Sequence, residues 1–213
     1  PNRAGVVELV RLRRKQLFAD PRANTDGRQP MSAVAFGVSA WAWSDASPDI
    51  RCAGRVSAGH AESRILDLPA AERRRLNPLT TAALRVAEKL AAGRERAELQ
   101  DAPLVFGSAD GDGAVLMKLL GALRAHESVS PTQFHNSVHN SPAGYWTIGL
   151  ASQAASTAIA CDDETLEVAL LEAGLQAIVR NGPVVMLYAS RSFPAELQRV
   201  RPDLQDFALA CWC

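Results

Sequence analysis

From residue 31 onward, short apolar runs alternate with longer stretches whose apolar positions recur at helical spacing. Residues 33–41, AVAFGVSAW, combine β-prone and small side chains and predict a strand. Residues 44–75 are polar and irregular, rich in Ser, Arg and Asp. Asn77-Pro78 is a helix start, an N-cap residue followed by proline at the first helical position. Leu79, Ala83, Val86, Ala87 and Leu90 then fall on one face, and Gly93 marks the stop. Residues 103–107, PLVFG, predict a short buried strand. The turn cluster SADGDG (108–113) follows, then a second helix carrying Val115, Leu116, Leu119, Leu120 and Leu123.

Residues 129–148, VSPTQFHNSVHNSPAGYWTI, are polar and aromatic and follow neither a helical nor a strand period. A short strand is expected near 156–161. A third helix buries Leu166, Ala169, Leu170, Ala173, Ala177 and Ile178, and Asn181-Gly182-Pro183 closes it. Val184–Tyr188 and residues 207–212 are the last two strands. The order βαβαβαββ predicts an α/β fold with a mostly parallel, mixed sheet covered by helices.

The first 30 residues differ in charge. They hold seven Lys/Arg against three Asp/Glu, a net of +4, which leaves −4 for the remainder of a chain of zero net charge. Residues 5–18 fit a basic amphipathic helix and PRANTDGRQP a turn-rich linker. Residues 1–30 are therefore read as an extension or linker, and 31–213 as the domain. With 213 residues, 47% of them apolar and 22% charged, the chain supports one sizeable core. Zero net charge gives no general polyanion-binding surface, so nucleic acid is not an expected partner. No apolar run approaches the roughly 20 residues of a membrane span, and the N-terminal residues lack a signal-type apolar stretch. The expected location is cytoplasmic, away from the membrane. Cys52, Cys161, Cys211 and Cys213 are too few and too irregular for a disulfide framework, and Cys211-Trp212-Cys213 lacks the further ligands of a structural metal site. No metal and no cofactor is expected.

An ordered set of residues resembles the β-ketoacyl synthases. In SPTQFHNSVHNSPAGYWTI (130–148) the pair Ser130-Pro131 precedes Asn140, Ala143-Gly144 and Thr147-Ile148 as in the segment before that family's nucleophile. Gly107-Ser108, Gly111 and Gly113 sit where the family carries a glycine-rich turn, and AERRRLNPLTTAALRVAE (71–88) looks like its first long helix. The likeness runs over about residues 33–213 and implies one half of a thiolase-type fold. The segments FHNSVHN and GYWTI are similar to short synthase-like proteins of aryl polyene and related pigment pathways, which resemble chain length factors.

A ketosynthase needs a cysteine thiolate at a helix N-terminus and downstream basic side chains, usually two His and often a Lys. The resemblance places the nucleophile at Asp163, to within one or two residues, in the run Cys161-Asp162-Asp163-Glu164-Thr165-Leu166. Asp162 as N-cap with Asp163 and Glu164 in the first turn is an ordinary helix start. No His or Lys follows residue 163; His60, His126, His135 and His139 all precede it. No catalytic residue is expected. His135 and His139 stand four apart, which on a helix is one face, but Asn136 replaces the Glu of a zinc protease motif. A polar network with Asn136 and Asn140 is the expected role.

The resemblance implies that Asp110, Gly111, Thr132, Gln133, Phe134, His135, Asn136, His139, Asn140 and Tyr145 shape an acyl pocket or the interface with a second subunit. The leading expectation is a non-catalytic, chain-length-factor-type subunit that forms a heterodimer with a catalytic ketosynthase and meets an acyl carrier protein, in aryl polyene, polyketide or fatty-acid-like synthesis. One alternative is a condensing or acyl-transfer enzyme with Cys161 as acyl acceptor and His135 or His139 as base. Another is a free-standing acyl- or carrier-binding module.

Overall fold

The computed structural model describes residues 38–44, 51–54 and 66–213. The basic segment 1–30, the first part of the 33–41 run and His60 lie outside the described residues. The elements are β1 (Ala40–Ser44), β2 (Arg51–Gly54), α1 (Ala70–Arg73), α2 (Pro78–Ala91), α3 (Arg96–Asp101), β3 (Leu104–Gly107), α4 (Gly113–Arg124), α5 (Pro131–Ser137), α6 (Ser141–Leu150), β4 (Ser156–Ile159), a 3-10 turn (Asp162–Glu164), α7 (Thr165–Arg180), β5 (Val185–Ser190) and β6 (Phe207–Trp212).

The strands form one mixed sheet in the order β2-β1-β6-β5-β3-β4. The expected mostly parallel pairing holds in one half only. β3 runs parallel to β4 and to β5, whereas β5–β6, β6–β1 and β1–β2 are antiparallel. The connector between β5 and β6 carries no crossover helix, so the chain returns antiparallel beside the strand it left. β2 lies in a stretch read as irregular; its four residues, Arg-Cys-Ala-Gly, offer no alternation to read.

Alternation along the strands divides the core between two faces. Leu104 and Phe106 of β3 and Val185 and Leu187 of β5 face α2 and α6, joining Leu79, Ala83, Val86, Leu90, Tyr145, Trp146 and Leu150. Val105 and Met186 face the other way and pack with Ala169 and Ala173 of α7. Asn77 caps α2, its side-chain oxygen accepting from the Thr80 amide at 2.7 Å. α7 approaches β3 closely at Gly107, where a Cβ would stand 2.9 Å from the Ala169 Cβ. The outward side of α7 stays bare: Leu171, Leu175, Ile178 and Val179 are exposed.

The segment expected to lack a period forms two helices. Ser130 caps α5, with Pro131 at its first position. α6 has no readable stripe because it is apolar nearly all round and is buried on most sides, from Ser141 to Leu150. Among the described residues, no helix is long and apolar enough to cross a membrane.

Candidate functional site

Three segments meet at one end of the parallel strands. The first is the turn after β3. Gly107 lies in register with Ile159, and the Ser108 amide donates to the Ile159 carbonyl at 3.2 Å, which sets this turn beside the end of β4. The Ser108 hydroxyl accepts from the Gly111 amide at 3.2 Å, and Gly111 takes a φ of 64°, a left-handed conformation that glycine adopts at little cost. Asp112 then caps α4, accepting from the amides of Ala114 and Val115.

The second segment is the corner from β4 into α7. Asp162 sits at φ 44°, left-handed and uncommon for a residue with a Cβ. The buried hydroxyl of Thr165 holds it there. That oxygen accepts from the Cys161 amide at 2.8 Å and donates to the Asp162 carbonyl at 2.6 Å. A sharp strand-to-helix corner with a left-handed residue at its tip is a shape that presents a side chain in front of a helix N-terminus. The side chain presented here is a carboxylate.

The third segment is the β5–β6 connector, which contributes Arg201. Its guanidinium pairs with Asp162 at 2.7 Å, with Asp163 at 2.6 Å and with Asp110 at 3.3 Å. The Arg201 side chain is only 18% exposed. Burial works against its charge, and the carboxylates of Asp110, Asp163, Asp162 and Asp203 together outweigh burial and raise its pKa. Burial also pushes the Asp110 carboxyl up; Arg201 counters this, and Asp162, Asp163 and Asp203 push it up further. An aspartate held in such an ion pair is a weak nucleophile, because its lone pairs already accept from the guanidinium. Cys161, just before the corner, is exposed.

The remaining predicted residues separate. Phe134 stands out into solvent, 61% exposed, and His135 and Asn140 are also exposed. Thr132 and Gln133 are half-buried. Asn136 is buried as a hub inside the protomer. Its amide donates to the Arg75 carbonyl, its side-chain oxygen accepts from the Tyr145 hydroxyl at 3.3 Å, and its own carbonyl accepts from Asn77. Tyr145 is 1% exposed, so it belongs to the core and not to an outer surface. Burial raises its hydroxyl pKa, with Glu72 adding to the rise and Arg75 opposing it.

His135 and His139 do not share a helix face. α5 ends at Ser137, Val138 is extended, and His139 lies in the link to α6. His139 is drawn to the turn after β3, its Nε2 2.6 Å from the Ser108 carbonyl and its ring against Phe106. Since a carbonyl only accepts, this contact assigns the proton to Nε2. His135 sets its ring edge-on to Tyr145. Cys211 lies in β6 and Cys213 directly follows it; burial pushes the Cys211 thiol well up and the Cys213 thiol up to about 12. Among the described residues, no group of three or more His, Cys, Asp or Glu is placed to hold a metal ion.

Arg201 and Thr165 were not among the predicted residues. The signal for Arg201 was available: with no His or Lys after residue 163, the cations there are Arg180, Arg191, Arg199 and Arg201. Thr165 looked like a routine first-turn residue, and nothing in its neighbours distinguishes it.

Comparison with known proteins fits this geometry. The β-ketoacyl synthase N-terminal domain matches residues 41–213. No curated protein matches significantly. Among solved structures, a chain of the ketosynthase ApeO in complex with its chain length factor ApeC from Xenorhabdus doucetiae is 26% identical, with a TM-score of 0.59 over 68% of this chain and 60% of that one. The ishigamide ketosynthase/chain length factor is 14% identical, with a TM-score of 0.60 over 82% and 61%. A β-ketoacyl synthase from Burkholderia phymatum is 12% identical, with a TM-score of 0.54 over 73% and 46%. The likeness to the last two is one of fold, and this chain spans between about half and three-fifths of the length of all three. With residues 41–213 matched by the family's domain and a thiolase-type mixed sheet beneath the corner, this chain belongs to the β-ketoacyl synthase family through its N-terminal domain.

Proposed function

We propose that this chain serves as a non-catalytic, chain-length-factor-type subunit that pairs with a catalytic ketosynthase. It would shape the acyl chain that the partner extends from an acyl carrier protein, in aryl polyene, polyketide or fatty-acid-like synthesis. The observation that carries this reading is the corner at Asp162. The turn has the form that presents a nucleophile, and Arg201 ties up the carboxylates that stand there. Two solved relatives, ApeO with ApeC and the ishigamide pair, are ketosynthases with chain length factors, which supports a ketosynthase partner.

A contact surface is available. Leu116, Leu120 and Leu123 form an exposed stripe on α4, and Phe134 and Val138 are exposed on the neighbouring α5 segment. An apolar surface of several such side chains marks an interaction site more often than an ordinary surface. Co-expression with a catalytic ketosynthase, followed by size-exclusion with light scattering, tests the pairing. A stable heterodimer is expected, and Phe134→Ala should weaken it by about 2 kcal/mol, roughly 30-fold, if this ring is an anchor. The purified chain alone should not decarboxylate malonyl-carrier protein. Decarboxylation that disappears in Cys161→Ala would replace this reading with the enzyme reading, in which Cys161 accepts the acyl group.

A further inference from the structure

We propose that the β5–β6 connector, residues 191–206, is an electrostatic strap fastened across the Asp162 corner by Arg201, and that salt releases it. The proposal rests on the reading of that corner as a former nucleophile position; the strap is fastened to its carboxylates, Asp162 and Asp163, and leaves them open to solvent.

The connector is held at three places. At its root, the Ser190 hydroxyl donates to the Gln205 carbonyl, and the amide and hydroxyl of Ser192 both donate to Asp206 at 2.8 Å. Next, the Phe193 ring lies against Gly113 at the start of α4. A Cβ on Gly113 would stand 2.6 Å from the ring, so the close seat depends on glycine. Beyond this, residues 194–200 fold on themselves in turns, with the amides of Leu197 and Gln198 donating to the Pro194 carbonyl and that of Val200 to Leu197. Val200 points outward and is exposed. The far end is fastened by Arg201 to Asp162, Asp163 and Asp110.

Charge makes the fastening a switch. One guanidinium faces three carboxylates from two other segments. Losing it removes the attraction and also leaves Asp110, Asp162 and Asp163 beside one another without their counter-charge, so the corner would repel instead of relaxing. Asp162 and Asp163 are largely exposed, so dissolved salt reaches and screens the pairs. At the root, Asp206 also pairs with Arg191 at 3.6 Å, which salt screens too, but the Ser192 bonds to Asp206 and the strand ladder do not involve Arg201 and should hold while the far end opens.

Hydrogen exchange read by mass spectrometry on the 213-residue chain tests the strap without any partner, so its result is separate from heterodimer formation. In the unaltered chain, raising sodium chloride from about 50 mM to about 1 M should speed exchange in residues 193–204 and 160–164 by about tenfold. Strands β5 and β6 should not change. Arg201→Met keeps the aliphatic bulk and should be open already at low salt, with no further response; Asp162→Asn with Asp163→Asn should behave likewise. Arg201→Lys should fall between. Exchange in residues 193–204 that ignores salt in the unaltered chain would overturn the proposal. So would acceleration in Arg201→Met that spreads equally into β5 and β6, since Arg201 would then be supporting the whole fold.

Discussion

Replacing Thr165 with Val tests what holds the Asp162 corner. Thr165 is fully buried at the first position of α7, and Val has nearly its shape. The exchange therefore keeps the packing and deletes one hydroxyl. That hydroxyl accepts from the Cys161 amide at 2.8 Å and donates to the Asp162 carbonyl at 2.6 Å. A buried polar group left without a partner costs about 1–3 kcal/mol. Cys161 and Asp162 are exposed residues, so water can satisfy part of the loss, which places the total near 2 kcal/mol. The hydroxyl also restrains a residue whose left-handed conformation costs about 1–2 kcal/mol, so the corner should loosen when it goes. Urea unfolding should show a lower midpoint at an unchanged slope. Hydrogen exchange should show the Cys161 amide losing protection. Thr165→Ser supplies the control: it keeps both bonds, loses one buried methyl worth about 1 kcal/mol, and should leave that amide protected. A cost below about 0.5 kcal/mol for Val, or equal loss of amide protection in Val and Ser, would refute the assignment.

Asp162→Gly and Asp162→Ala both remove the carboxylate that pairs with Arg201, but only Ala must place a Cβ at φ 44°. Gly should be the more stable of the two by about 1 kcal/mol in urea unfolding, the reverse of the usual order, and equal stabilities would show that the corner relaxes. At Asp110 the raised pKa means the folded state holds the proton more tightly than the unfolded chain, whose ordinary value is 3.8. Its stabilising contribution is then complete below that value and is lost as pH rises through the raised folded value. Asp110→Asn should flatten the pH dependence of stability just above 3.8 and should not destabilise the chain at neutral pH; a loss above about 1 kcal/mol there would mean that Arg201 outweighs burial at this carboxylate.

α2 was legible because one buried side gives its apolar positions a period, with Asn77 as its cap. β3, β5 and β6 were legible as continuous apolar runs, since both of their faces are buried. α4 carries a helical period too, but Leu116, Leu120 and Leu123 of that period are exposed and only Val115 and Leu119 are buried. α6 was hidden because it is buried on most sides and has no polar stripe to define one. The corner itself was partly legible. The acidic run at 162–164 beside Cys161 was visible in the sequence, but spacing along the chain does not reveal a cation that arrives from 39 positions away, as Arg201 does at Asp162. Likewise, the His135/His139 spacing suggests one face only while a helix continues, and α5 stops at Ser137 between them.

The segment 133–145 reads in sequence as one polar and aromatic stretch, and its fold divides it into two jobs. Asn136 turns inward, where Arg75, Asn77, Ser141 and Tyr145 use its polar atoms and backbone carbonyl. Those bonds join the start of α2 to α5 and α6, and Tyr145 and Trp146 close the core beneath them. Altering Tyr145 would therefore disturb folding before it reported on any partner. Phe134 and Val138 turn outward on the same short stretch, near the leucine stripe of α4. The buried Asn136 hub fixes the orientation of α5, and that orientation presents Phe134 to solvent on a rigid base. An aromatic side chain with few rotatable bonds loses little conformational freedom on docking, so under the proposed pairing Phe134, and not Tyr145, is the residue expected to anchor the partner.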